Sequence, residues 1–235
     1  MNPKTEWVEK AKKTAALEAV KHVKEGFIVG LGSGSTAAYA IEEIGNEIAH
    51  KKLRVLGVPT SHQAFMLAVK HGIPITTLDE HPALDVTVDG ADQVDVNLNL
   101  IKGMGGALTR EKIVACASKQ NIIVADEAKK VGVLGENGQR VPVEVLPFAV
   151  SFVVRRLKEI GGAPVMREGT GKVGPVITDN GNVILDIGFG LIREPAELAR
   201  DLKAVSGVVE TGLFVGMADI VYIGKSSGVQ KLKKE

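Results

Sequence analysis

Asp89, Asp92, Lys102 and Glu111 fall within one short stretch of the 235-residue chain. Carboxylates beside an ammonium are the groups needed to move protons next to a developing negative charge: the acid accepts a proton and the cation stabilises the oxyanion left behind. Asp89 and Asp92 stand in Asp-Gly-Ala-Asp, directly after 84–88, Leu-Asp-Val-Thr-Val. That run reads as a short buried strand, and Asp-Gly after it as a turn. Carboxylates therefore leave a strand at its C-terminal edge, where ligands bind in parallel α/β sheets. Lys102 opens a run containing Gly103, Gly105 and Gly106, residues that let a backbone turn tightly or approach a ligand closely. The following 107–118 has helical composition and carries Glu111. All four side chains are expected to share one cleft. The plainer alternative is that Asp and Gly are ordinary turn residues and Lys102 lies in a solvated loop.

Certain elements must position these groups. Residues 3–24 read as an amphipathic helix with Trp7, Val8, Ala11, Ala15, Ala16, Ala19, Val20 and Val23 at helical spacing. Residues 27–31 read as a buried strand, followed by Gly32, Ser33, Gly34, Ser35 and Thr36 and a helix to about 49. Strand, Gly/Ser/Thr turn, helix presents backbone amides and hydroxyls to a phosphate, with the positive end of the helix behind them. Ser35 stands where a dinucleotide fingerprint has its third glycine, and the strand 53–58 ends in Pro59, Thr60 and Ser61 with no acid for a ribose. No lysine precedes Ser35 or Thr36, as a nucleoside-triphosphate loop requires. A small cradle for a phosphorylated metabolite remains, against the alternative of a structural Gly-Ser turn.

The pattern continues with helix 61–71, strands 73–78 and 84–88, helix 107–118 and strand 122–125. This alternation predicts a mainly parallel sheet covered on both faces. After about residue 130 the order becomes strand 141–145, helix 148–160, strands 164–167 and 183–187, helix 196–204 and strand 208–210. β-α-β-β-α-β is the order of a ferredoxin-like unit. The expected fold is thus α/β: a Rossmann-like domain, 1–132 and 208–235, with a smaller inserted ferredoxin-like α+β domain, 133–207. Residues 218–223 would return to the first sheet, and 226–235 read as a poorly ordered polar tail.

Composition excludes several classes. With 45% hydrophobic and 24% charged residues the chain is that of a globular protein able to bury a full core. A net charge of +1 gives no global field toward nucleic acid or anionic membranes, and neither is expected as a partner. The one cysteine, Cys116, rules out an intrachain disulfide and reads as a buried structural thiol on the apolar side of its helix. His22, His50, His62, His71 and His81 show no ligand spacing, so no metal site is expected. Neither a secretory signal nor a long apolar run is present, and the expected location is cytoplasmic.

Taken together, Gly32 to Thr36, Asp89-Gly-Ala-Asp92, the run from Lys102 to Lys112, Pro142-Val-Glu-Val-Leu-Pro147 and 207–214 resemble ribose-5-phosphate isomerase of the A type, nearly end to end and in the family's order. The resemblance implies an aldose-ketose isomerase of ribose 5-phosphate and ribulose 5-phosphate, working without cofactor as a homodimer or homotetramer. It makes Glu111 the general base, Asp89 and Asp92 active-site aspartates and Lys102 the active-site lysine. Ser33, Ser35 and Thr36, with Gly32 and Gly34, fall on the substrate and phosphate loop; Gly103, Gly105 and Gly106 line the second loop. Many members carry Lys-Phe-Pro before the Pro-Val-Glu-Val strand. Gly138, Gln139 and Arg140 stand there instead, leaving Arg140 to replace that lysine, while Lys10 matches the N-terminal lysine near the phosphate. Two rival classes are a sugar-phosphate sensor, which would bring a basic DNA-binding module that neither flank carries, and an acyl or CoA transferase, which would need a nucleophilic glutamate and a larger cleft.

Overall fold

The computed structural model describes residues 3–51, 53–171 and 173–234. In chain order the elements of the first half are α1 (Pro3–Val20), β1 (Ile28–Leu31), α2 (Ser35–Lys51), β2 (Leu56–Pro59), α3 (His62–Lys70), β3 (Val86–Gly90), β4 (Gln93–Val94), β5 (Leu100–Ile101), α4 (Leu108–Ala117) and β6 (Asn121–Asp126). Those of the second half are β7 (Val141–Val145), α5 (Val150–Glu159), β8 (Ala163–Met166), β9 (Val183–Gly188), α6 (Pro195–Lys203), β10 (Val208–Thr211), β11 (Leu213–Phe214), β12 (Ile220–Lys225) and β13 (Gly228–Lys233). They cluster into two units, one of residues 1–91, 110–130 and 217–235, the other of 92–109 and 131–216. The second unit takes in 92–109 and 208–216, which the sequence pattern assigns to the first. The reason is pairing: β5 lies between β4 and β11, and the Gly212 amide in turn donates to Pro142 O at the start of β7.

The first unit is built on a six-stranded sheet in the order β13-β12-β6-β3-β1-β2, parallel except for the β12-β13 hairpin. Alternation along β1 sorts its two faces. Val29 and Leu31 join Ala15, Ala19, Ala40 and Ile41 of α1 and α2 in one core, whereas a Cβ on Gly30 would meet Thr87 and Val114 of α4 on the other side. Helices thus cover both faces, as a buried parallel sheet requires. The parallel strands run β2-β1-β3-β6-β12, so the chain reverses its direction of travel between β1 and β3. Ligands of such sheets bind outside the C-terminal ends of the strands at this switch point.

The second unit contains the four-stranded antiparallel sheet β10-β7-β9-β8 with α5 and α6, and the small sheet β11-β5-β4. Val141, Val143, Val145, Leu185 and Ile187 meet Val153, Leu157 and Leu202 of the two helices in its core. Strand order 4-1-3-2 in a β-α-β-β-α-β series is the ferredoxin-like arrangement that the element order implies.

Four sequence expectations are corrected. Residues 73–78 form no strand: Pro74 has no N–H to donate, and only Ile75 bridges Gly57. Asp89 and Gly90 lie inside β3, paired with Ile123 and Val124, instead of in a turn beyond it. Cys116 is exposed, because α4 buries Leu108, Glu111, Val114 and Ala115 and turns Ile113 and Cys116 outward. The tail forms a strand: after a two-residue turn, β13 pairs with all of β12, closing an edge that would otherwise leave unpaired amides. Its lysines read as a solvated tail, yet charged residues are what a protected edge strand carries.

Candidate active site

At the switch point the loop after β1 is stitched to β3. Gly32 N–H donates to Val88 O at 3.0 Å, Ser33 N–H to Asp89 Oδ1 at 3.0 Å, and Gly90 N–H to the same oxygen at 2.7 Å. Two amide donors on one oxygen hold the buried Asp89 carboxyl still. A Cβ at Gly32 would come within 2.5 Å of the Asp89 Cα, so this approach of loop to strand requires glycine.

Beside it, Ser33 Oγ lies 2.7 Å from Thr60 Oγ1 and 2.6 Å from Ser61 Oγ. Thr60 Oγ1 donates to Leu31 O, Ser61 caps α3 by accepting from Ala64 N–H, and Gly34 N–H donates to Gln63 Oε1. Three hydroxyls thus gather where α2 and α3 begin, a place that suits an anion because helix N-termini present free amides and positive potential. Sequence reasoning placed Ser33, Ser35 and Thr36 here; Ser35 and Thr36 are the exposed and half-buried first residues of α2. It missed Thr60, Ser61 and Gln63. The available signal was a Thr-Ser pair directly before a helix, the mark of an N-cap.

In the second unit Asp92 Oδ2 accepts from Met104 N–H at 2.9 Å. Lys102 is buried at the end of β5, its backbone N–H on Gly212 O at 2.9 Å and its Nζ 5.4 Å from the centre of the Phe214 ring. A cation over a ring face at this range is stabilised, more so when desolvated. Gly103 and Gly106 adopt φ of +103° and +81°, a region that side chains disfavour; Gly105 does not. The loop is also held from behind. Arg167 Nη1 donates to Gly103 O at 2.8 Å and Met104 O at 2.9 Å, while its Nε and Nη2 fork onto Asp186. Neither Arg167 nor Asp186 was singled out by the sequence pattern. Arg167→Met would strand Asp186 and two carbonyls; the pair is partly buried, and the change is expected to cost about 2 kcal/mol, between the ranges of exposed and of fully buried pairs. Urea denaturation would measure it. Loss of under about 1 kcal/mol, the range of exposed pairs, would show that the clamp is solvent-screened.

Glu111 lies in the first turn of α4, on the same buried stripe as Leu108, Val114 and Ala115. It is 5% exposed. A buried stripe normally closes with an apolar side chain, so a carboxylate there is costly unless the helix end and nearby donors stabilise it. Lys10 on α1 and Arg140 before β7 are exposed, and neither joins the hydrogen-bonded groups above. Among the described residues no three His, Cys, Asp or Glu side chains are placed to hold a metal ion, and no helix is long and apolar enough to cross a membrane.

A 2-1-3-4-5 parallel sheet with hydroxyls and a pinned aspartate at its switch point, joined in one chain to a ferredoxin-like unit with a clamped lysine-glycine loop, defines a Rossmann-like α/β protein of two units. The model of the family Ribose 5-phosphate isomerase A (phosphoriboisomerase A) matches residues 56–228. Ribose-5-phosphate isomerase A of Methanosarcina acetivorans is 48% identical, over 94% of this chain and 93% of that protein. The structure of ribose 5-phosphate isomerase A from Methanocaldococcus jannaschii superposes with a TM-score of 0.92 at 48% identity, covering 96% of this chain and 99% of that one. A D-ribose-5-phosphate isomerase solved in complex with phospho-erythronic acid gives 0.93 at 45% identity, with the same coverage. The chain belongs to the ribose 5-phosphate isomerase A family.

Proposed function

We propose that this chain interconverts D-ribose 5-phosphate and D-ribulose 5-phosphate, the aldose-ketose step of the non-oxidative pentose phosphate pathway, through an enediolate. The observation that carries the reading is Glu111, a carboxylate on the buried stripe of a helix in a chain of this family. The reaction is redox-neutral within the substrate. A base takes the proton from the carbon next to the carbonyl, the electron pair moves to give an enediolate, and the proton returns to the neighbouring carbon. Glu111 is the shuttle. Lys102 stabilises the oxygens that gain charge, and Asp89 and Asp92 serve the hydroxyl protons or ring opening.

Ser33, Ser35 and Thr36, with Gly32, Gly34 and the neighbouring Thr60 and Ser61, bind the phosphate. Gly103, Gly105 and Gly106 let the backbone approach the sugar, with Lys10 and Arg140 as further contacts. Phospho-erythronic acid, bound by a relative, combines a phosphate with a carboxylate, the same pair of charges that a phosphorylated enediolate presents. We also place the enzyme in the cytoplasm, in keeping with its one cysteine, and as a homodimer or homotetramer, in keeping with exposed apolar side chains such as Phe148 and Phe152.

Incubation with ribose 5-phosphate should yield ketose. Run in deuterated water, the reaction is expected to place deuterium on the carbon that gains the proton, with at least partial washout. No ketose at all would overturn the activity, and complete retention of the original hydrogen over many turnovers would favour hydride transfer over the enediolate.

A further inference from the structure

Glu144, the penultimate residue of β7, is wholly buried, and its carboxylate collects four donors. Thr178 Oγ1 donates at 2.8 Å, Asn180 Nδ2 at 3.1 Å and Asn182 Nδ2 at 2.7 Å, all to Oε1. Thr109 Oγ1 donates to Oε2 at 2.5 Å. A carboxylate taken fully out of water is expensive and persists only when its lone pairs are filled. Three donors from the single turn 178–182 fill one oxygen. The other oxygen is used on the first turn of α4, two residues before Glu111.

We propose that Glu144 is a positioning residue for the reaction, acting through Thr109 to fix the rotation of α4 about its own axis and so the direction of the Glu111 carboxylate. The inference rests on the reading of Glu111 as the base. Residues two apart on a helix are separated by about 200° around its axis, so they stand on nearly opposite sides. A helix pinned through Thr109 cannot roll without breaking a short hydrogen bond to a buried anion, and any roll would swing Glu111 by the same angle. Proton abstraction is sensitive to this, since a misplacement of about 1 Å can cost on the order of a hundredfold. A purely structural Glu144 would instead fasten the 178–182 turn, and every donor it holds would matter alike.

Thr109 and Thr178 therefore form a matched pair. Each gives one hydroxyl to the same carboxylate, but only Thr109 is on α4. Thr109→Val is expected to lower kcat about ten- to a hundredfold with KM changed less than about threefold, a split that lost orientation gives and lost binding does not. Thr109→Ser, which keeps the hydroxyl, should recover kcat to within about threefold of wild type. Thr178→Val, whose lost hydroxyl also accepts from the Asn180 and Asn182 backbone amides, should lower the urea midpoint at least as much as Thr109→Val does, yet keep kcat within about threefold. In the Glu111→Gln background, Thr109→Val should change kcat no further. Equal loss of kcat in both valine variants, or none in Thr109→Val while Glu111→Gln is inactive, overturns the positioning role alone. Wild-type turnover by Glu111→Gln removes the base assignment, and this inference with it.

Discussion

Glu111→Gln is expected to keep its fold and to lose about 10² to 10⁴ in kcat, the contribution typical of a general base, with KM changed by less than about threefold. Gln preserves the shape of the side chain and most of its hydrogen bonds on the buried stripe of α4, and it needs no charge desolvated there. What it cannot do is accept a proton from carbon. An interaction used in the transition state and little in the ground state shows in kcat and spares KM. If Glu111 were only a first-turn acid complementing the helix dipole, the change would cost about 0.3 to 1 kcal/mol of stability and leave turnover alone. Steady-state kinetics with a denaturation curve separates the two. A folded variant keeping more than about a tenth of wild-type kcat would move the base to Asp89 or Asp92, since even weak general bases contribute more.

The second large effect concerns the phosphate. Ribose without it is expected to react with a kcat/KM at least about a hundredfold lower, roughly 2.7 kcal/mol of transition-state stabilisation. The Ser33, Thr60 and Ser61 hydroxyls, gathered where α2 and α3 begin, offer binding energy far from the reacting carbons. Such remote energy is spent on holding the sugar in a reactive position, so its loss appears in kcat as well as KM. Ser33→Ala, which removes the hydroxyl common to both contacts, should narrow the difference between the two sugars. Comparable rates on ribose and ribose 5-phosphate would take these hydroxyls out of the site.

Local signals carried much of this. Alternating strands and helices, the ferredoxin-like series in the second half and the two glycine loops are written in periods of 2 and 3.6 and in turn residues, which depend on near neighbours only. Asp92, Lys102 and Glu111 stood out as candidates because acids and a lysine fall among glycines in one short stretch, a pattern that ordinary turn residues also produce. Long-range pairing decided the rest. Asp89 belongs to β3 because β6 pairs with it through Gly90; a local reading sees only Asp-Gly and predicts a turn. Thr60 and Ser61 meet Ser33 because β2 pairs with β1, a register that neither segment announces. Arg167 reaches the Lys102 loop because β8 pairs with β9, which brings Asp186 beside it, and Glu144 finds Thr109 across 35 positions of chain. The buried face of α4 was likewise unreadable, since a helix with apolar residues on two sides buries whichever one its neighbours cover; here that choice exposes Cys116 and buries Glu111. Sequence alone determines which groups can do chemistry, because side-chain type is local; which of them are buried, pinned and aimed depends on contacts between distant segments, and only the tertiary structure sets those.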